Sequence, residues 1–175
     1  MTIVSACLLG IKCRYDGKGC PDDRMLAIAS EGIFLPLCPE QLGGLPTPRP
    51  PAQIVDGHGG DVLDDRVKVR DANKRDVTRH FLRGAEEVIK VARLMKVKTA
   101  IMKETSPSCG VCFIHHDDDA IVKGVGVTTA LLLREGIHVI SSDDMKEKSV
   151  SAAIADLKCA TIHNNNRGSN ESRKV

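Results

Sequence analysis

Aromatic residues are nearly missing from this chain. It has no tryptophan, one tyrosine and three phenylalanines, or 2% of its 175 residues. A core must therefore be built from aliphatic side chains, and a row of rings on which single-stranded nucleic acid could stack is excluded. Net charge is also lacking. The 25 Lys and Arg against 23 Asp and Glu leave +2, too little for the electrostatic footprint of a nucleic-acid binder. Every apolar run falls well short of the roughly 18 residues that a membrane-spanning helix needs. The opening "MTIVSACLLGIKC" has no basic segment ahead of its apolar run, so it does not read as a secretory signal. The expectation is a cytoplasmic protein without a membrane partner.

What is present is a soluble composition, 42% hydrophobic and 27% charged, at a length suited to one domain. Four short apolar runs read as buried strands: 2–6, 33–37, 99–103 and 137–141. Helical patterns lie between or after them. "PDDRMLAIAS" carries Pro21 and two acids at its start. Over 76–95, Val77, Phe81, Ala85, Val88, Ala92 and Met95 share one face. "GVTTALLLREG" ends on Gly136, and 143–158 forms a stripe with Ser142 as N-cap. Alternating strands and helices predict an α/β fold, a single layered domain with a mostly parallel, Rossmann-like central sheet flanked by helices. The irregular insert contains the stiff "PTPRPP" (46–51) and an edge strand or hairpin over 62–69. The domain is expected to span 1–160, with a disordered polar tail over 161–175.

Seven cysteines in a reducing compartment point to free thiols, metal ligands or catalysis. Three of the strands finish at or shortly before a cysteine: Cys7, Cys38 and Cys109. Strand C-termini of a parallel sheet share one edge, where ligands bind in open α/β folds. The bland alternative is a small buried hydrophobe at each strand end. Cys13 and Cys20, in "KCRYDGKGC", can reach the same crevice. Cys109 and Cys112, in "SPSCGVC", have the spacing of a redox pair, but the sequence after them does not look helical. The Cys13–Cys20 spacing is too loose for a standard zinc knuckle. Thiolates gathered by the fold around an iron–sulfur cluster are the remaining option.

Polar groups cluster beside the same edge. Glu40 follows Cys38 by two residues, Asp16 lies in "RYDG", and Ser106 and Ser108 flank Pro107. Lys103 and Glu104 close the third strand, and Arg49 sits in the Pro-rich segment. Any one of these alone would read as a solvated charge or turn residue. "GVG" (124–126) could hold an anion at a helix start, and His115–His116 could hold a metal, although both patterns also suit plain turns and loops.

The motifs "SACLLGIKCRYDG", "CPEQLGGLPTPRPPAQI", "DVTRHFLRGA", "KETSPSCG" and "GVTTALLLREGI" occur in that order over residues 3–141. Together they resemble the DUF523 family. The resemblance implies an enzyme similar to the thiouracil desulfidases, with a 4Fe-4S cluster held by only three cysteines. By motif these are Cys7, Cys38 and Cys109, the same three found at strand ends. It further implies non-redox cleavage of a C–S bond in a small thiolated nucleobase, 2-thiouracil going to uracil plus sulfide. Beside an iron left open by the three-cysteine set, Glu40 reads as the general acid or base, Asp16, Ser106 and Ser108 as positioning or proton-relay groups, and Arg49 as a substrate contact. The rival reading is a non-enzymatic zinc-binding or thiol redox-sensing module built on Cys109 and Cys112.

Overall fold

The run "TIVS" forms β1 (Thr2–Ser5), buried at every position, as a strand covered on both faces must be. A computed structural model of the chain describes residues 1–29, 34–116 and 120–145. After β1 comes a 3-10 turn over Ala6–Leu9, then α1 (Asp23–Ile28), capped by the Asp22 side chain on the Arg24 amide. β2 (Phe34–Leu37) leads directly into α2 (Pro39–Leu42). The chain continues through β3 (Ala52–Ile54), α3 (Gly59–Leu63), β4 (Val69–Asp71) and the long α4 (Thr78–Leu94). It closes with β5 (Thr99–Met102), β6 (Phe113–His115), β7 (Ile121–Lys123), α5 (Val127–Arg134) and β8 (His138–Ser141).

The central sheet has the order β2-β1-β5-β8, and every pairing in it is parallel. Pro36 is accommodated because β2 is an edge strand. The alternation of side chains divides the core. Ile3, Ala100 and Met102 pack with Val88, Ile89 and Ala92 of α4 and Leu132 of α5. Val4 and Ile101 pack with Met25 of α1 and Met145. The expected mostly parallel α/β layer is present, with helices on both faces of the sheet. No helix among the described residues is long and apolar enough to cross a membrane.

The expected strands match these bounds within a residue or so, and Gly136 takes the left-handed conformation after α5 at φ +70°. The helical face of α4 buries Phe81, Ala85, Val88 and Ala92, while Met95 at its end is 39% exposed. One expectation fails: 62–69 is not a strand. Its start belongs to α3, which a capping box closes. The Gly60 amide donates to His58 Nδ1, and the His58 amide donates to Asp61, both at 3.0 Å. The strand begins only at Val69 and pairs antiparallel with β3. β6 and β7 form a second antiparallel pair. Residues 146–175 lie outside the described residues, with most of the expected 143–158 helix, Cys159 and the tail.

Candidate active site

The C-terminal edge of the parallel sheet opens into a cavity of about 450 Å³. Cys7 reaches it from the 3-10 turn after β1, and Cys38 from the N-cap of α2 after β2. Cys109 comes from the loop after β5. The three cysteines expected at strand ends therefore line one cavity, together with Cys13 and Cys20.

The Cys109 loop is held from two sides. Glu104, 4% exposed, accepts the amides of Val111 (3.0 Å), Cys112 (3.0 Å) and Phe113 (2.9 Å) on Oε1. Its Oε2 accepts the Ser141 hydroxyl. Burial alone would raise this carboxyl, but Ser141 and the three amides outweigh it and hold Glu104 below the usual carboxylate range. On the other side, the first turn of α5 grips the loop. The Val127 and Thr128 amides donate to the Pro107 and Ser108 carbonyls, each at 2.9 Å. The Thr129 hydroxyl donates to the Cys109 carbonyl at 2.7 Å. The helix start that "GVG" suggested as an anion site is thus already filled by the protein's own carbonyls.

The thiols influence one another. The Cys13 thiol shares the cavity with those of Cys7 and Cys38. Its hydrogen bond lowers Cys38 to about 7 and lowers Cys7 as well, in both cases against the effect of burial. Cys13 itself is raised by the same contacts. Burial pushes the Cys109 thiol up, partly offset by a hydrogen bond with Ser5. Cys13 thus shifts Cys38 and Cys7 toward the thiolate, the form in which sulfur binds metal.

Glu40 lines the cavity beside Cys38. Its Oε2 accepts Arg49 Nε at 2.8 Å, and no hydrogen bond reaches Oε1 from the described residues. Arg49 is nearly buried and spends its donors on the protein. Nη1 bonds the Pro46 carbonyl and the Thr47 hydroxyl at 3.1 Å each, and Nη2 bonds the Cys13 carbonyl at 3.0 Å. With four of its five N–H groups so used, Arg49 is a strut that orients Glu40 and pins the Cys13 loop. Ser106 also lines the cavity. Its oxygen accepts the Ser108 and Cys109 amides at 3.1 Å each, which leaves its O–H proton to donate.

Two of the expected polar groups stand elsewhere. Ser108 is fully buried, and its hydroxyl pairs with that of Thr128 at 3.0 Å. Asp16 closes its own turn by accepting the Lys18 amide at 3.0 Å and lies 3.6 Å from Arg14 Nε. Neither lines the cavity. Cys112 is exposed. His115 and His116 line the cavity wall, a placement that "IHHDDD" does not reveal because it depends on the β6–β7 pairing. Among the described residues no three Cys, His, Asp or Glu side chains converge on a point suited to a single ion. Cys7, Cys38 and Cys109 line one cavity, and thiols are the donor chemistry of an iron–sulfur group.

The model of the 2-thiouracil desulfurase family matches residues 2–144. The chain is similar to YbbK of Bacillus subtilis (strain 168), with 39% identity over 149 residues, covering 84% of this chain and 99% of YbbK. Among solved structures it is similar to the [4Fe-4S]-dependent thiouracil desulfidase TudS (DUF523Vcz), with a TM-score of 0.74 and 39% identity. That match covers 87% of this chain and 97% of TudS.

Proposed function

This chain belongs to the 2-thiouracil desulfurase family, and from that premise we propose that it removes sulfur hydrolytically from a small thiolated pyrimidine, using a 4Fe-4S cluster held by Cys7, Cys38 and Cys109. The observation that carries the reading is the meeting of three strand-end thiols and one carboxylate in a single cavity. In outcome, 2-thiouracil and water give uracil and sulfide, with no net electron transfer. When bound, a cluster with three thiolate ligands supplies an open iron that attracts and polarises the thiocarbonyl sulfur.

The chain's own residues do the rest. Glu40 is the general base. Arg49 fixes its Oε2, so Oε1 is the atom that takes a proton from the attacking water and later returns it to the leaving sulfur. Ser106, whose oxygen is engaged by two amides, donates its hydroxyl proton to a ring acceptor of the substrate and orients it. Arg49 acts through Glu40, and Asp16 and Ser108 shape the loops that carry Arg14 and Cys109. The apolar wall of Leu37, Pro39 and Ala52 suits a flat heterocycle.

Anaerobic reconstitution tests this reading. The protein should turn brown, bind about four irons and four sulfides per chain, and release sulfide from free 2-thiouracil. A colourless anaerobic protein with stoichiometric zinc and no release of sulfide would overturn it in favour of the zinc or thiol-sensing alternative.

A further inference from the structure

Cys13 has no part in the ligand set proposed above, yet it lines the same cavity as Cys7, Cys38 and Cys109. It is 2% exposed and lies in one buried cluster with Cys7, against which Cys38 packs. The Cys38 sulfur also lies 3.6 Å from the Cys13 carbonyl oxygen. That carbonyl is pinned by Arg49, which is ion-paired to Glu40 two residues past Cys38. A single ion pair between buried Arg49 and half-buried Glu40 therefore ties the Cys13 and Cys38 segments together at the cavity wall. Of the two neighbours of Cys13, Cys38 is the more accessible, being half-buried where Cys7 is buried, so an oxidant entering the cavity meets it first.

We propose that Cys13 is a resolving thiol, forming a reversible disulfide with Cys38 when the metal-free cavity meets a hydroperoxide. The Cys38 sulfur attacks one peroxide oxygen, the O–O bond breaks, and a sulfenic acid and one water result. The Cys13 sulfur then attacks the Cys38 sulfur, the S–O bond breaks, and a second water leaves. Two thiols and one hydrogen peroxide become one disulfide and two waters, and the peroxide takes up the two electrons. The bond shields Cys38 from irreversible oxidation to sulfinic acid. Because Cys38 is read above as a ligand, the bond also prevents metal loading until a reductant opens it.

The experiment uses the full chain, stripped of metal by chelation without oxygen and treated with an excess of hydrogen peroxide, since sulfinic acid, unlike the disulfide, consumes a second peroxide. The thiols are alkylated, the protein is digested without reduction, and the peptides are read by mass spectrometry. The expected product is a Cys13–Cys38 cross-link that dithiothreitol removes, with iron loading then restored to the untreated level. In Cys13→Ser the cross-link should be missing, Cys38 should carry two oxygens, and iron loading after dithiothreitol should stay several-fold lower. A cross-link between other cysteines, or sulfinic Cys38 in the unaltered chain, would overturn the proposal, and neither result depends on how the variant folds. The iron content of untreated Cys38→Ala separately tests the ligand reading.

Discussion

Glu104 should be the residue on which the Cys109 loop depends most, and its removal has a cost that can be worked from the structure. Glu104→Ala leaves three amides, those of Val111, Cys112 and Phe113, without their acceptor, and also releases the Ser141 hydroxyl. An orphaned amide costs about 1–3 kcal/mol when water cannot replace the lost partner. The side chains of Cys112 and Phe113 face solvent, so the low end applies, and the sum is about 3–4 kcal/mol. That is a large share of the roughly 5–15 kcal/mol by which a domain is stable. Glu104→Gln keeps an acceptor oxygen but loses the charge that about doubles such bonds, and should cost about half as much.

The same carboxylate sets a pH dependence of definite sign. Its folded-state pKa is depressed, so its stabilisation is fully present above the unfolded value of about 4.3 and is lost as the pH falls through the lower folded value. Glutamine has no such titration. The stability gap between the unaltered chain and Glu104→Gln should therefore be open at pH 7 and shrink below about pH 4. Urea unfolding of both proteins across that range measures it. A gap that widens on acidification, or an alanine variant that loses less than about 1 kcal/mol at pH 7, would refute the role given to the carboxylate.

Glu40→Gln preserves size while removing the titratable oxygen, so sulfide release from 2-thiouracil should fall about 10²–10⁴-fold with iron content unchanged; undiminished turnover would remove Glu40 from the mechanism. Cys7→Ala, Cys38→Ala and Cys109→Ala should each lose most of their iron after anaerobic reconstitution, whereas Cys112→Ala, altered at an exposed site, should keep it. Equal iron loss in Cys112→Ala and Cys109→Ala, read by metal analysis, would make "SPSCGVC" a paired motif instead. Gly84→Ala would set a Cβ 2.0 Å from the Pro39 carbonyl oxygen, so α2 must shift. A lower melting temperature, by about 1–3 kcal/mol of stability, should come with reduced iron loading, because Cys38 caps that helix; unchanged melting would show that α2 yields freely.

The strands of the parallel sheet were legible because burial on both faces writes itself into the sequence as short aliphatic runs. The two small antiparallel pairs were not. "AQI", "VRD" and "FIH" are three-residue strands of mixed polarity, and each depends on a partner that no local pattern announces. The same division runs through the site. Cys7, Cys38 and Cys109 could be placed together because strand ends converge by topology. The work of Arg49 and Glu104 could not be read, since their partners Cys13 and Ser141 lie 36 and 37 residues away along the chain.

"GVG" shows most clearly how a local signal can be correct and still mislead. A helix does begin just after Gly126, and its first amides do point at acceptors, as the motif suggests. The acceptors are the carbonyls of Pro107 and Ser108, the peptide units immediately before Cys109. A Cβ on Gly126 would stand 2.4 Å from the Ser108 carbonyl carbon, so the absence of a side chain is what allows the loop to seat against the helix. Ser108 completes the contact by pairing with Thr128, which accounts for a buried hydroxyl that the sequence places beside the cysteine and the structure turns away from the cavity. The helix terminus that would otherwise attract an anion is thus used to hold Cys109 at the sheet edge, opposite the carboxylate of Glu104 that holds the far end of the same loop.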